Sequence, residues 1–408
     1  MIVELLFLVT AVFWTSPLSC SPPSGAMLVE ILSAGKQPLC FDGKITREYG
    51  EFLDGKGKGK SLTTVKHRHV LAIFVHGTLF PVPSLTAVQE WAGERLKKDG
   101  HPSGYIDLLR DKGVLRNQPI GPMGLHPVLS CWSATANGAQ LLGWLIQEMY
   151  RLLPTEEFAT VHPYTFGWDG SLSLERRKLQ AKDLLLALES LVAEHQRKHI
   201  HDQVEVMVLA HSHGGNVALH MADWVSSIPK IQIDHLFTFG TPIHGDTQHH
   251  AVSSLFKNVY NVHSSGDFVQ VADIVSTKKY MPARVFSHAG ALSSPKVKQI
   301  LVEIGSYSPN HCELWFFRRP EVLFFRAGLP IAPLPVAAFT PLILREIKKS
   351  AGVEHFLKLN IAPNKGNLQV CLVPFQNYWK DELVKFHQYE SRFDFSKLYN
   401  QLPLILKE

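Results

Sequence analysis

From Val70 onward the chain alternates short apolar runs with longer segments in which apolar residues recur every three or four positions. The runs Val70 to Val75, Val204 to Leu209, His235 to Phe239, Val259 to Val262 and Val297 to Ile304 predict strands. Residues 172 to 195 place leucine at 179, 184, 185, 186, 188 and 191 with charges on the intervening turns, the pattern of a helix packed on a sheet. Strands alternating with helices predict an α/β fold over residues 65–318, a mostly parallel, doubly wound sheet with helices on both faces.

The flanks differ from this texture. Within residues 1–26, Leu5 to Trp14 are ten uncharged residues, the length of a signal h-region and too short to span a bilayer. They predict an export signal and a secreted or extracytoplasmic protein, although Met1 to Glu4 carry no Lys or Arg; a buried first element in a cytoplasmic chain is the alternative. Residues 27–64 form an extension whose Gly55 to Lys60 run reads as a solvated surface loop. Beyond residue 319 lies a second extension, to 408, in which Ala327 to Leu344 are uncharged but hold four prolines. A buried extended connector is expected there, with a lid or a surface that meets a membrane as the alternative. His355 to Ile361 and Leu368 to Val373 flank Asn364-Lys-Gly366, a hairpin signal.

Composition narrows the function only a little. At 408 residues, 45% hydrophobic and 19% charged, the chain can bury a large core, and a net charge of +5 gives nucleic acid no claim as partner. Five cysteines, Cys20, Cys40, Cys131, Cys312 and Cys371, are scattered without C-x-x-C spacing, which excludes a zinc ribbon or a dithiol redox motif. No phosphate loop or nucleotide fingerprint is present, so no cofactor is expected.

One apolar run leads straight into a turn of small residues. Val204-Glu-Val-Met-Val-Leu-Ala-His-Ser-His-Gly-Gly-Asn-Val-Ala218 reads as strand, turn and helix with Ser212 at the apex. In a strand-to-helix elbow the nucleophile takes a strained backbone that lifts its hydroxyl above the sheet, and the residues two before and two after must be small. Those positions hold Ala210 and Gly214, with alanine where glycine is usual. The competing explanation is a structural turn with an incidental serine.

A serine hydroxyl is a weak nucleophile at neutral pH and needs a base held by a carboxylate. With such an elbow the partners follow in chain order, acid then histidine. The strand Val259 to Val262 runs into a polar loop bearing Asp267, the first candidate for the acid, with Asp273 and Asp246 as competitors. The strand Val297 to Ile304 leads to His311, which can hang over the carboxyl edge of the sheet; His288 precedes that strand and falls on the wrong edge. Charge developing on an attacked carbonyl needs backbone donors, each contributing about 2.7–4 kcal/mol. The amide of His213 is one candidate, and that of Thr78, after Ile73-Phe-Val-His76-Gly77, is the other.

The cluster His244-Gly-Asp246-Thr-Gln-His249-His250 matches no zinc spacing and is expected to be a polar loop facing substrate, with no metal. His211 is expected to pack, and Cys312 has no claim to be a nucleophile. These motifs together resemble the α/β-hydrolase superfamily and its lipase-like branch: His76-Gly77-Thr78, Ala210-His-Ser-His-Gly214, Leu236-Phe-Thr-Phe-Gly-Thr-Pro-Ile-His-Gly245, Asp267-Phe-Val and Asn310-His311-Cys-Glu-Leu. The resemblance covers about residues 65 to 318. It implies a serine hydrolase in which Ser212, Asp267 and His311 are nucleophile, orienter and base, and the amides of Thr78 and His213 bind the oxyanion. Apolar stretches such as Leu79-Phe-Pro-Val-Pro83 favour an ester with a lipid-like acyl group. The alternatives are a catalytically silent binding or membrane-associated module, and thioesterase or peptidase chemistry on the same residues.

Overall fold

The computed structural model describes residues 67–78, 118–128, 137–153, 159–225, 230–272, 282–317, 334–349, 355–364, 367–374 and 389–393. The expected export signal, the Gly55 to Lys60 run, Leu79 to Pro83, Asp273, Cys20, Cys40 and Cys131 lie outside them. The strands are β1 (Arg68–Val75), β2 (Gly124–Pro127), β3 (Ala159–Gly167), β4 (Gln203–His211), β5 (His235–Phe239), β6 (Val259–His263), β7 (Val297–Ile304), β8 (Phe356–Asn364), β9 (Asn367–Pro374) and β10 (Tyr389–Phe393). The helices are α1 (Asn137–Leu152), α2 (Leu174–Lys198), α3 (His213–His220), α4 (Val269–Ala272), α5 (Ala289–Ser293) and α6 (Thr340–Lys349).

The strands form one sheet in the order β10-β9-β8-β7-β6-β5-β4-β1-β3-β2. From β3 to β8 every neighbouring pair is parallel, whereas β2, β9 and β10 pair antiparallel at the flanks. The alternation along β1 shows why both faces are covered. Val70, Ala72 and Phe74 join a core with Met207, Leu209, Phe237 and residues of α1 and α6. Leu71, Ile73 and Val75 join a second core on the other face with Val206, Val208 and residues of α2 and α3. Successive strand side chains point to opposite faces, so a run that is apolar throughout needs helices on both. The doubly wound α/β architecture expected of the sequence is present.

Two elements depart from the expectations. β3 has no continuous apolar run, since Thr160, His162, Pro163 and Tyr164 interrupt it. Pro163 is tolerated because its carbonyl accepts from Val128 N (2.9 Å) on the outer side, so its missing N–H faces the same side. There β2 pairs only with Tyr164 onward, and no donor is required. The proline-rich stretch, expected to be an extended connector, is helical in its described half: Val336–Phe339 form a 3-10 turn that leads into α6. Pro335 caps the turn and Pro341 stands in the first turn of α6, where an amide has no intrahelical partner to lose. Leu334, Val336, Phe339, Leu342 and Ile343 are buried in the core. The hairpin forms, with Asn364 opposite Asn367, and β8 to β10 extend the same sheet past residue 319. Among the described residues no helix is long and apolar enough to cross a membrane.

Candidate active site

Because β1, β4, β5, β6 and β7 run parallel, their carboxyl ends share one edge. That edge carries His76 to Thr78 after β1, Ser212 after β4, Gly240 after β5, Asp267 after β6 and His311 after β7. The chain order thus becomes a spatial row at the place where open α/β sheets bind ligands.

Ser212 has φ 52° and ψ −131° and is the single non-glycine residue with positive φ among the described residues. Such a backbone costs about 1–3 kcal/mol and persists only when its surroundings enforce it. Here Ser212 N donates to the Phe239 carbonyl (2.9 Å) and the Ser212 carbonyl accepts from Gly215 N (2.9 Å), which fixes the turn between β4 and α3. The small flanking residues are required by contact: a β-carbon at Gly214 would collide with the His76 carbonyl, and one at Gly77 would fall 2.7 Å from Ser212 Cβ. Ala210, paired with Val75 and Thr238 on the neighbouring strands, is fully buried with its methyl accommodated.

Asp267 and His311 meet directly. His311 Nδ1 lies 2.8 Å from Asp267 Oδ2, and the carboxylate is wholly buried. The other carboxylate oxygen accepts from Gln270 N (3.2 Å), while Arg284 donates to the Asp267 carbonyl (2.9 Å). On the His311 side, Asn310 Oδ1 accepts from the amides of Cys312 and Glu313, and Asn310 N donates to Glu313 Oε2 (2.8 Å). The ring of His211, adjacent in sequence to Ser212, lies 4.5 Å from that of His311 and donates from Nε2 to the His311 carbonyl (3.2 Å). It lies flat against Trp315 (5.6 Å, 5°), and burial holds it well below the ordinary histidine range. The Ser212 hydroxyl forms no hydrogen bond to His311; such contacts are often loose without substrate and tighten when it binds.

His76 sets the loop after β1. Its Nε2 accepts from Trp168 N (3.1 Å), so the proton sits on Nδ1, which donates to the Gly77 carbonyl (2.7 Å). Across a trans peptide the Thr78 N–H points opposite to that carbonyl, so the imidazole fixes the direction of the Thr78 amide. His213 is the first residue of α3, with its ring edge-on to His244 at 5.8 Å. His288 instead caps α5, its Nδ1 accepting from Gly290 N (3.2 Å), and Asp246 lies beside His220 (3.8 Å) rather than His311. Burial pushes the Cys312 thiol up to about 12. Among the described residues the two gatherings of metal-ligating side chains, His69–His199–Asp202 and His220–Asp223–His250, do not include Ser212, Asp267 or His311.

Several further positions shape the site, and their contribution is not readable from the residue type alone. Gly240 has φ 58°, and a β-carbon there would lie 2.8 Å from Asp267 Oδ2 and 3.0 Å from His311 Nδ1. Gln270 serves Asp267 through its backbone amide, three residues on, and Arg284 is an ordinary polar residue until the fold brings it to the Asp267 carbonyl. Gly240→Ala is expected to lower stability by about 1–3 kcal/mol in urea unfolding, through crowding and the left-handed backbone together. It should also part the Asp267–His311 contact.

Residues 157–275 match the model of the family Lipase (class 3). No curated protein matches the chain. The fold is that of an α/β-hydrolase. The matched part of the chain runs from just before β3 through α4, so it takes in Ser212 and Asp267. It supports hydrolase activity of the lipase or esterase kind, with lipid or ester substrates.

Proposed function

We propose that the hydrolase cleaves carboxylic esters through an acyl-enzyme, with Ser212 as nucleophile, His311 as general base and Asp267 as the carboxylate that orients it. His311 spends Nδ1 on Asp267, which leaves Nε2 to accept a proton from the Ser212 hydroxyl. Serine Oγ attacks the ester carbonyl carbon, and the oxygen that becomes negative is held by the amides of His213 and Thr78. His311 then returns the proton to the departing alcohol. Water, deprotonated by the same imidazole, releases the acid and restores the serine.

The observation that carries this reading is the backbone of Ser212. A non-glycine residue held at φ 52° between a buried strand and a helix, in the row that also carries the Asp267–His311 pair, is strain without a folding purpose. An acyl-chain-like fluorophosphonate probe tests it. Wild-type protein should be labelled, and Ser212→Ala, with an unchanged circular dichroism spectrum, should not. A folded wild-type chain that resists the probe, or a variant labelled as before, replaces the enzyme with a silent binding module.

A further inference from the structure

We propose that His220, Asp223 and His250 bind a divalent transition-metal ion of the zinc class, at a site separate from Ser212. His220 is the last residue of α3, Asp223 lies in the 3-10 turn Met221–Trp224 that follows it, and His250 comes from the 3-10 segment Gln248–Val252 beyond β5. Asp223 Oδ2 lies 2.8 Å from His220 Nδ1 and Asp223 Oδ1 lies 3.0 Å from His250 Nε2. One donor atom from each of the three falls within 4.8 Å of the others. Tetrahedral zinc with bonds of about 2.0–2.2 Å separates its ligand atoms by roughly 3.3 Å, so small side-chain rotations admit the ion.

The arrangement of the rings distinguishes this group from the other gathering of histidines. The His220 and His250 rings cross at 64° with centroids 5.4 Å apart, so their lone pairs can converge. The His69 and His199 rings stack at 3.7 Å and 28°, which sets their lone pairs side by side. Both imidazoles of the proposed site are buried, whereas the Asp223 side chain is 28% exposed and leaves a side open for water as a fourth ligand. An outer layer is present too. With Nδ1 on the ion, His220 Nε2 would face Asp246 Oδ2 at 3.8 Å, the carboxylate–histidine–metal arrangement that orients ligands in metal sites. That nitrogen is buried and forms no hydrogen bond among the described residues. The competing cation is Lys178, whose ammonium lies 3.8 Å from Asp223 Oδ2 and is free to swing into solvent. The exposed ring of His249 lies tilted against that of His250, with centroids 4.0 Å apart. The ligand His250 and the outer-layer Asp246 belong to the sequence cluster expected to hold no metal; the other ligands, His220 at the end of α3 and Asp223 in the turn after it, are not anticipated by the zinc spacings. The ion would tie the end of α3, the helix that follows Ser212, to the loop after β5.

Metal content of the full chain decides the matter. Protein stripped with a chelator and titrated with zinc against a chromophoric competitor should take up one ion per chain. Cobalt in its place should give the intense visible bands of a tetrahedral centre. Asp223→Asn and His250→Gln, each with unchanged circular dichroism, should weaken zinc at least tenfold, and Asp246→Asn about 10–100-fold. Wild-type protein that binds well under one zinc per chain, or folded Asp223→Asn and His250→Gln variants that bind as tightly as wild type, would overturn the proposal. If a variant fails to fold, the wild-type stoichiometry and cobalt spectrum alone decide.

Discussion

Asp267→Asn is expected to lower kcat toward a soluble carboxylic ester about 10⁴-fold with little change in KM or stability. The reason lies in which oxygen each partner uses. Gln270 N donates to Asp267 Oδ1, so in the variant that position must remain the carbonyl oxygen of the amide. The amide nitrogen then occupies the place of Oδ2, 2.8 Å from His311 Nδ1. An amide N–H demands an acceptor there, and the ring meets the demand by moving its own proton to Nε2. A protonated Nε2 cannot take the serine proton, so the nucleophile is left unactivated while the geometry of the site survives. Raising the pH does not restore the tautomer, so the loss should persist across the alkaline range. Steady-state kinetics on a p-nitrophenyl ester, with the wild type assayed in parallel, measure it. A loss smaller than tenfold would remove Asp267 from the proposed chemistry.

The parts of this arrangement that were legible in the sequence are those encoded locally. β1 carries the uninterrupted apolar run Val70 to Val75, β4 and β7 are mostly apolar with a few charged or polar positions, and the turn at Ser212 announces itself because close approach forbids a side chain at Gly214. Asp267 and His311 could be named because parallel strands deliver successive loops to one edge, and a strand end followed by a polar residue is visible in one dimension. β3 was hidden because its outer neighbour β2 is only four residues long, which lets it carry a proline and several polar residues. The helical turn at Pro335 was misread as extended chain because proline both breaks a helix interior and favours a helix start, and sequence alone does not say which applies. Gly240, although within the Leu236 to Gly245 segment, gains its role from a φ that no side chain signals, Gln270 from a backbone amide that its side chain does not announce, and Arg284 only from a contact across 17 positions. The same holds for His211, whose service to the His311 carbonyl spans 100 positions.

Stability is expected to fall steeply as the pH drops below about 6.5, and the amino end of the sheet, opposite Ser212, supplies much of the reason. His67 and His69 at the start of β1, His162 in β3, and His195 and His199 at the end of α2 gather there with Asp202 and Tyr164. His69 Nδ1 lies 2.9 Å from His162 Nε2, so one of the two nitrogens must accept; two imidazolium rings would set N–H against N–H. Burial pushes His162 down to about 3, and the neighbouring His195, His69, His199 and His67 add to the shift. Burial likewise lowers His69, against the opposing hydrogen bond from Asp202, and lowers His195, which also has Lys198 and Glu194 nearby. The folded-state values are depressed below the unfolded value near 6.5, so above that pH neither state holds the proton and nothing is gained or lost. Between about pH 6.5 and 3 the unfolded chain binds a proton that the folded His162 refuses, and stability falls by about 1.4 kcal/mol for each pH unit that this histidine contributes. Across the window the loss is of order 5 kcal/mol, a large part of the 5–15 kcal/mol that holds a domain folded. Urea midpoints between pH 7.5 and 4.5 should therefore decline, and His162→Gln, whose amide can still meet His69 but does not titrate, should flatten the slope by about one proton. An unaltered slope in that variant would mean that His162 is not among the groups that unfold the protein in acid.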